Sequence, residues 1–81
     1  MKLGHFQHLD QERQLQVALV KGVYLMEQKR YNVHMRLFQV GHFYVEIFSL
    51  GHEGEVIMVN AFDDMSYLES YLEKLELPAF L

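Results

Sequence analysis

Four polar side chains in the middle of the chain have the residue types of a small binding or catalytic site. They are His34, Arg36, Glu46 and Asn60. An arginine can anchor an anion, which would make the cluster a pocket for a small anionic or aromatic ligand. A histidine oriented by a carboxylate can act as a general base, so His34 and Glu46 could also serve an active site. The sequence shows no nucleophile and no oxyanion hole to accompany that base, which disfavours an enzyme.

Metal and cofactor chemistry has little support in the sequence. His5 and His8 are spaced so that a helix would put both imidazoles on one side, but a metal site normally needs three or four ligands. The chain has no cysteine, and therefore no thiolate ligand and no disulfide framework. It also lacks a glycine-rich phosphate loop and a nucleotide-binding fingerprint. We therefore predict neither a metal nor a cofactor.

The candidate site must be positioned by strands, because apolar and polar residues alternate from Asn32 onwards. Such a period of two is typical of strands that place one face on a core. All four polar residues of the candidate site then lie on the face turned away from the core. The predicted core face consists of Val33, Met35, Leu37, Phe43, Val45, Ile47, Val59 and Ala61.

The turns between the strands contain glycine at matching places. Residues 39–41 and 52–54 are both three-residue intervals that end in glycine. This pattern is typical of a three-residue hairpin loop whose last residue adopts the left-handed conformation. We therefore predict a positive φ at Gly41 and at Gly54.

Loops of this type would fix the register of the strands. His34 would lie opposite Glu46, and Glu46 opposite Asn60 on the following strand. Arg36 would lie opposite Tyr44 and diagonal to Glu46. Facing Cβ atoms are about 4.5–5.5 Å apart, so hydrogen bonds could form along this row. The register thus predicts one polar cluster on the outer face of the sheet.

Large apolar residues surround that polar row on the predicted outer face. An exposed apolar patch of this kind often marks an association surface. We expect Tyr44, Phe48 and Met58 to lie in a protein–protein interface. The same alternation places further apolar residues on the outer face: Tyr24, Met26, Phe38, Val56 and Phe62.

A helix is predicted before the strands, after an irregular lead-in over residues 1–9. Asp10 is a suitable N-cap, because its carboxylate can accept the first free backbone N–H groups. Gly22 can end this helix as a left-handed residue, which makes residues 23–26 a first strand and residues 28–30 its turn. Alternatively, Gly22 lies inside a longer helix at a cost of about 1 kcal/mol. We favour the first interpretation.

A second helix is predicted after the strands. Asp63 is its expected N-cap, and the side chains of Met65, Leu68, Leu72 and Leu75 recur at helical spacing. Pro78 follows the last periodic residue, and residues 78–81 are expected to form a tail. The fold class is therefore α+β, a two-layer domain with a helix, an antiparallel meander of three or four strands, and a final helix.

Composition limits the class of protein. The 81 residues are 51% hydrophobic, which excludes a disordered chain, and they suit a single domain over residues 1–81. The formal net charge of −4, with no large basic patch, disfavours nucleic acid and an anionic membrane surface as partners. No apolar run is long enough for a transmembrane helix, and no signal peptide is evident, so a cytoplasmic protein is expected.

These observations favour a non-enzymatic interaction or regulatory module over an enzyme. We expect a homodimer that associates through the outer face of the sheet, or binding to another protein through the same face. The alternative is a small-ligand binding domain, or a minor enzyme, that uses His34, Arg36, Glu46 and Asn60. The mass of the protein in solution distinguishes the two hypotheses, because a monomer with an open outer face favours ligand binding.

Overall fold

A computed structural model of the chain describes residues 1–51 and 54–64. Its elements are α1 (Leu3–Gln7), α2 (Gln11–Lys21), β1 (Val23–Arg30), β2 (Val33–Val40), β3 (Phe43–Leu50) and β4 (Val56–Phe62). The four strands form one antiparallel sheet in the order β1-β2-β3-β4. An α+β fold with an N-terminal helix and an antiparallel meander is thereby confirmed. The predicted C-terminal helix and the tail lie outside the described residues.

The first residues are helical rather than irregular, which corrects the expectation for residues 1–9. Phe6 of α1 is fully buried, and its ring centroid lies 5.3 Å from that of Phe43. This apolar anchor gives a five-residue helix the tertiary support that so short a segment needs. Asp10 caps α2 as predicted, since its carboxylate accepts a hydrogen bond of 2.9 Å from the backbone N–H of Arg13.

Gly22 follows the last residue of α2, as predicted, but its φ of −82° is extended rather than left-handed. Its backbone N–H donates to the Ala18 carbonyl at 3.0 Å, and a Cβ at this position would collide with that carbonyl. Strand β1 follows immediately and includes residues 28–30, which were expected to form a turn. The turn lies further along, at Tyr31 and Asn32.

The turn between β2 and β3 contains two residues, Gly41 and His42, instead of three. Val40 and Phe43 form the pair that closes it. The positive φ predicted for Gly41 is confirmed, at +59°, and a positive φ at the first position matches a two-residue hairpin turn of type II′. The register of β2 against β3 differs from the predicted one by an odd number of residues. An odd shift turns one strand over relative to its neighbour.

The sheet therefore has a helix face and a second face. On the helix face, side chains of α1 and α2 pack against a buried apolar cluster that consists of Phe38, Val40, Phe43, Val45 and Ile47. The opposite side is called the second face. It carries Leu37, Tyr44, Glu46, Phe48, Met58, Asn60 and Phe62.

Strand β2 departs most from the predicted faces; Tyr24 of β1 and Val56 of β4, predicted for the outer face, also belong to the helix face. Val33, Met35 and Leu37 belong to the second face, although the alternation assigned them to the core against the helices. Phe38 belongs to the helix face, opposite Val45. The partner of Tyr44 on β2 is Gln39 rather than Arg36.

Strands β3 and β4 pair in the predicted register. Val45 lies opposite Ala61, and Ile47 lies opposite Val59. The connecting loop differs from the prediction, because the positive φ of +70° belongs to Gly51 and not to Gly54. Gly54 is needed for another reason, since a Cβ there would overlap the Leu50 carbonyl.

Candidate functional site

The structure divides the four polar residues of the predicted cluster between the two faces. His34 and Arg36 lie on the helix face, whereas Glu46 and Asn60 lie on the second face. The predicted pairing of His34 with Glu46 is wrong, because β2 is turned over by its two-residue turn. The sheet backbone now separates the two pairs, so these four side chains do not form one site.

The Glu46–Asn60 pair is present as predicted. The Asn60 amide donates from Nδ2 to Oε1 of Glu46 over 2.9 Å, and the two residues are direct partners in the register of β3 and β4. Glu46 is only 4% exposed. A buried carboxylate is costly unless hydrogen bonds replace those it made to water. This pair therefore satisfies polar groups inside a face that is otherwise mostly apolar.

His34 makes its hydrogen bond to Glu27 of β1, a residue that the sequence analysis did not single out. The His34 Nε2 atom donates to Oε2 of Glu27 over 2.6 Å. Lys29 is the direct partner of His34 on β1, so Glu27 is its diagonal neighbour and reaches it through a long side chain. The pair was missed because β1 was expected to end at residue 26.

The electrostatics around Glu27 are those of a mixed-charge cluster. The hydrogen bond from His34 lowers the pKa of the Glu27 carboxyl below its ordinary value. Burial raises the pKa of the Tyr24 hydroxyl, and the negative charge of Glu27 raises it further. Arg36 is the direct partner of Glu27, and its buried Nε has no hydrogen-bond partner among the described residues. Positive and negative groups offset each other here, which leaves little net attraction for an anion.

The serine in the row of side chains around His34 is buried. Ser49 lies opposite His34, so the row of Glu27, His34 and Ser49 contains the residue types of a hydrolase triad. Ser49 is only 2% exposed, which places its hydroxyl out of reach of a substrate. His34 and Ser49 are thus buried in the sheet, and Glu27 is the exposed member of the row.

A cavity of about 160 Å³ lies beside His34, near the turn between β1 and β2. Small-molecule sites usually have volumes of about 300–1,000 Å³. The cavity is therefore too small to enclose most metabolites. Its lining consists of Lys29, Tyr31, Asn32, Val33, His34 and Gly51.

Tyr44, Phe48 and Met58 lie on the second face, on the side opposite to α1 and α2, as the alternation predicted. Phe48 and Met58 are direct partners across β3 and β4, and Met58 is 47% exposed. Tyr44 stacks on Phe62 with the ring centroids 5.6 Å apart. These side chains form an apolar surface around the part-buried Glu46–Asn60 pair.

Neither metal binding nor a membrane-spanning helix is indicated by residues 1–51 and 54–64. No group of three or more His, Asp or Glu side chains in these ranges is placed to hold a metal ion. The Nδ1 atom of His8 donates to the Gly4 carbonyl at 2.7 Å, within the first helical segment. The helices in the same ranges are too short or too polar to cross a bilayer.

Known proteins give no further guide to the role of these residues. The chain matches no protein-family model, no curated protein and no solved structure.

Proposed function

We propose that this protein is a non-enzymatic association module that forms a homodimer through the second face of its sheet. The observation that carries the proposal is the pair of Phe48 and Met58. These large apolar side chains face each other on the side opposite to the helices, and nearly half of Met58 is exposed. A soluble monomer has little reason to keep such a surface in contact with water.

The energetics of burial favour association. Burying a large apolar side chain contributes about 1.5–3 kcal/mol, and a two-fold dimer buries each such residue twice. Part of this gain offsets the loss of translational and rotational freedom on binding. Tyr44 extends the same surface along β3, and Glu46 is already buried within one chain and hydrogen-bonded to Asn60. The dimer therefore buries few polar groups without partners.

The alternative of a small-ligand site is less well supported. It required His34, Arg36, Glu46 and Asn60 to act together, and the sheet backbone separates them into two pairs. The carboxylate of Glu27 already accepts a hydrogen bond from His34. The adjacent cavity of about 160 Å³ is also small for a ligand.

A charge placed in the middle of the second face tests the proposal. We expect Phe48→Glu to convert a homodimer into a monomer, because the two-fold axis brings two carboxylates into one apolar interface. Val20→Glu is the matched control, since Val20 is a 74% exposed apolar residue on α2. That control should remain dimeric in analytical ultracentrifugation. A dimer that survives Phe48→Glu with unchanged affinity would contradict an interface on this face.

A further inference from the structure

One end of the second face is buried, although no helix among the described residues covers it. Leu37 is 1% exposed and Phe62 is 7% exposed, and the partly buried side chains of Met26 and Tyr44 pack against them. We call these four residues the Leu37 cluster. Within residues 1–51 and 54–64, the helices α1 and α2 pack against the apolar cluster on the opposite side of the sheet.

Exposure on the second face changes along the strands. Glu46 lies directly opposite Leu37 and is 4% exposed, whereas Met58 and Leu50, towards the other end of the face, are both 47% exposed. A fully buried side chain is in contact with other residues on all sides. The burial of Leu37 and Glu46 therefore requires a cover over their end of the face.

The chain itself continues at this end of the sheet. Strand β4 ends at Phe62, a member of the Leu37 cluster, and residues 65–81 follow shortly after it. The apolar residues that recur at helical spacing in this segment are Met65, Leu68, Leu72 and Leu75. An amphipathic helix has to bury such a stripe against an apolar surface. The Leu37 cluster is a surface of this kind beside the start of the segment.

We propose that residues 65–75 form the helix predicted from the sequence and that its apolar side packs across the Leu37 cluster. The cluster has one member on each of the four strands, and three spacings between strands amount to about 14 Å. A helix over residues 65–75 is about 16 Å long. The segment is therefore long enough to reach from β4 to β1.

This cover divides the second face between two occupants. A helix with its side chains is about 10–12 Å wide, and neighbouring rows of side chains on one sheet face are about 7 Å apart. The segment thus covers the rows that contain Leu37 and Tyr44 and leaves the row of Phe48 and Met58 open. The surface available to a second copy is narrowed to that end of the face. The cover itself does not depend on the homodimer, because it belongs to a single chain.

Cysteine labelling distinguishes a cover from the same chain from a cover supplied by a second copy. The wild type has no cysteine, so Leu37→Cys and Met58→Cys each carry a single thiol. A buried thiol reacts slowly, because the reagent reaches it only through local opening. In dilute protein, we expect labelling of Leu37→Cys to be slower than labelling of Met58→Cys by about tenfold or more. The rate for Leu37→Cys should not change with protein concentration.

The dependence on concentration identifies the occupant. Protection of Leu37→Cys that develops only as concentration rises would overturn the inference, because a second copy would then be the cover. Equal labelling rates of the two variants in dilute protein would also overturn it. Slow labelling of Leu37→Cys at every concentration, with labelling of Met58→Cys that never slows, would support the cover and overturn the proposed homodimer.

Two glutamate variants test whether residues 65–75 are the cover. In the Leu37→Cys background, Leu72→Glu places a charge on the apolar side of the predicted helix and should raise the labelling rate by about tenfold. Ser70→Glu is the matched control, because two helical positions turn the same charge to the opposite side. This control should leave the rate unchanged. Equal effects of the two glutamates would count against the proposed packing.

Nuclear Overhauser effects in the wild type need no substitution. At a concentration where the protein is monomeric, the methyl groups of Leu37 should show cross-peaks to methyl groups of residues 65–75. Cross-peaks from Leu37 to residues of the sheet alone would exclude this segment as the cover.

Discussion

The Glu27–His34 hydrogen bond shows how the sheet brings together residues that lie seven positions apart in the chain. Both residues are polar, yet His34 is only 4% exposed. A buried imidazole requires hydrogen bonds in place of water, and Glu27 supplies one at 2.6 Å. This side-chain hydrogen bond thus connects the neighbouring strands β1 and β2.

The lowered pKa of Glu27 makes stability depend on pH in a defined direction. Because the folded-state pKa is below the unfolded one, the bond stabilises the fold above the unfolded pKa. That stability disappears as pH falls through the folded pKa. We expect urea denaturation to show that Glu27→Gln destabilises the protein near neutral pH and has a smaller effect at about pH 3. A difference that grows towards low pH would have the wrong sign.

Gly41 is a residue whose backbone conformation favours glycine. Its φ is +59°, and a Cβ there would meet no atom within 4 Å, so the cost of Gly41→Ala comes from the backbone alone. We expect a loss of about 1 kcal/mol in chemical denaturation. Gly4→Ala is the control, since it is also free of contacts and lies in α1. A Gly41→Ala variant as stable as the Gly4→Ala control would argue against the two-residue turn.

At the scale of elements, the sequence predicts α2, the meander and most of the register of β3 against β4. These succeed because each rests on a single clear pattern, such as the N-cap at Asp10 or the alternation through Val45 and Ile47. The faces predicted for β2 are wrong, because this strand has apolar residues on both faces. Leu37 and Phe38 are neighbours, and both are buried. The polar β2 residues His34 and Arg36 lie on the helix face, so the alternation indicated the wrong phase and the two-residue turn set the register.

The residue pairs of the candidate site were predictable only between strands whose register the sequence predicts correctly. The Glu46–Asn60 pair was found because β3 and β4 pair as the alternation indicates. The Glu27–His34 pair depends on a turn at Tyr31, which adopts a positive φ of 58° although it is not glycine. Such a backbone conformation is uncommon for a residue with a Cβ, so turn propensities do not indicate a turn at Tyr31.

The packing of β3 gives a direct test of the observed faces. Val45 is fully buried between the sheet and the helices, and we expect Val45→Ala to cost about 1–3 kcal/mol. Val23 of β1 is 62% exposed, so Val23→Ala removes the same atoms with little change in burial. Both variants can be compared by guanidinium denaturation. Equal losses for the two would contradict the assignment of Val45 to the core.

At the scale of the whole molecule, the chain makes a sheet with apolar residues on both of its faces. The helix face is occupied by α1 and α2, and the second face carries Phe48 and Met58 on the opposite side. A domain of 81 residues buries a smaller share of its surface than a larger one and gains correspondingly from association. In the proposed homodimer, a second copy of the chain is thus a source of stability as well as a partner.

We propose that the protein associates with itself through the apolar surface around Phe48 and Met58. The measurement that tests it most directly is the mass of the wild type by light scattering over a wide range of concentration. We predict that the mass rises to twice the 9.6 kDa of one chain and then stays constant, because a two-fold interface closes on itself. A mass of one chain at every concentration would contradict the claim.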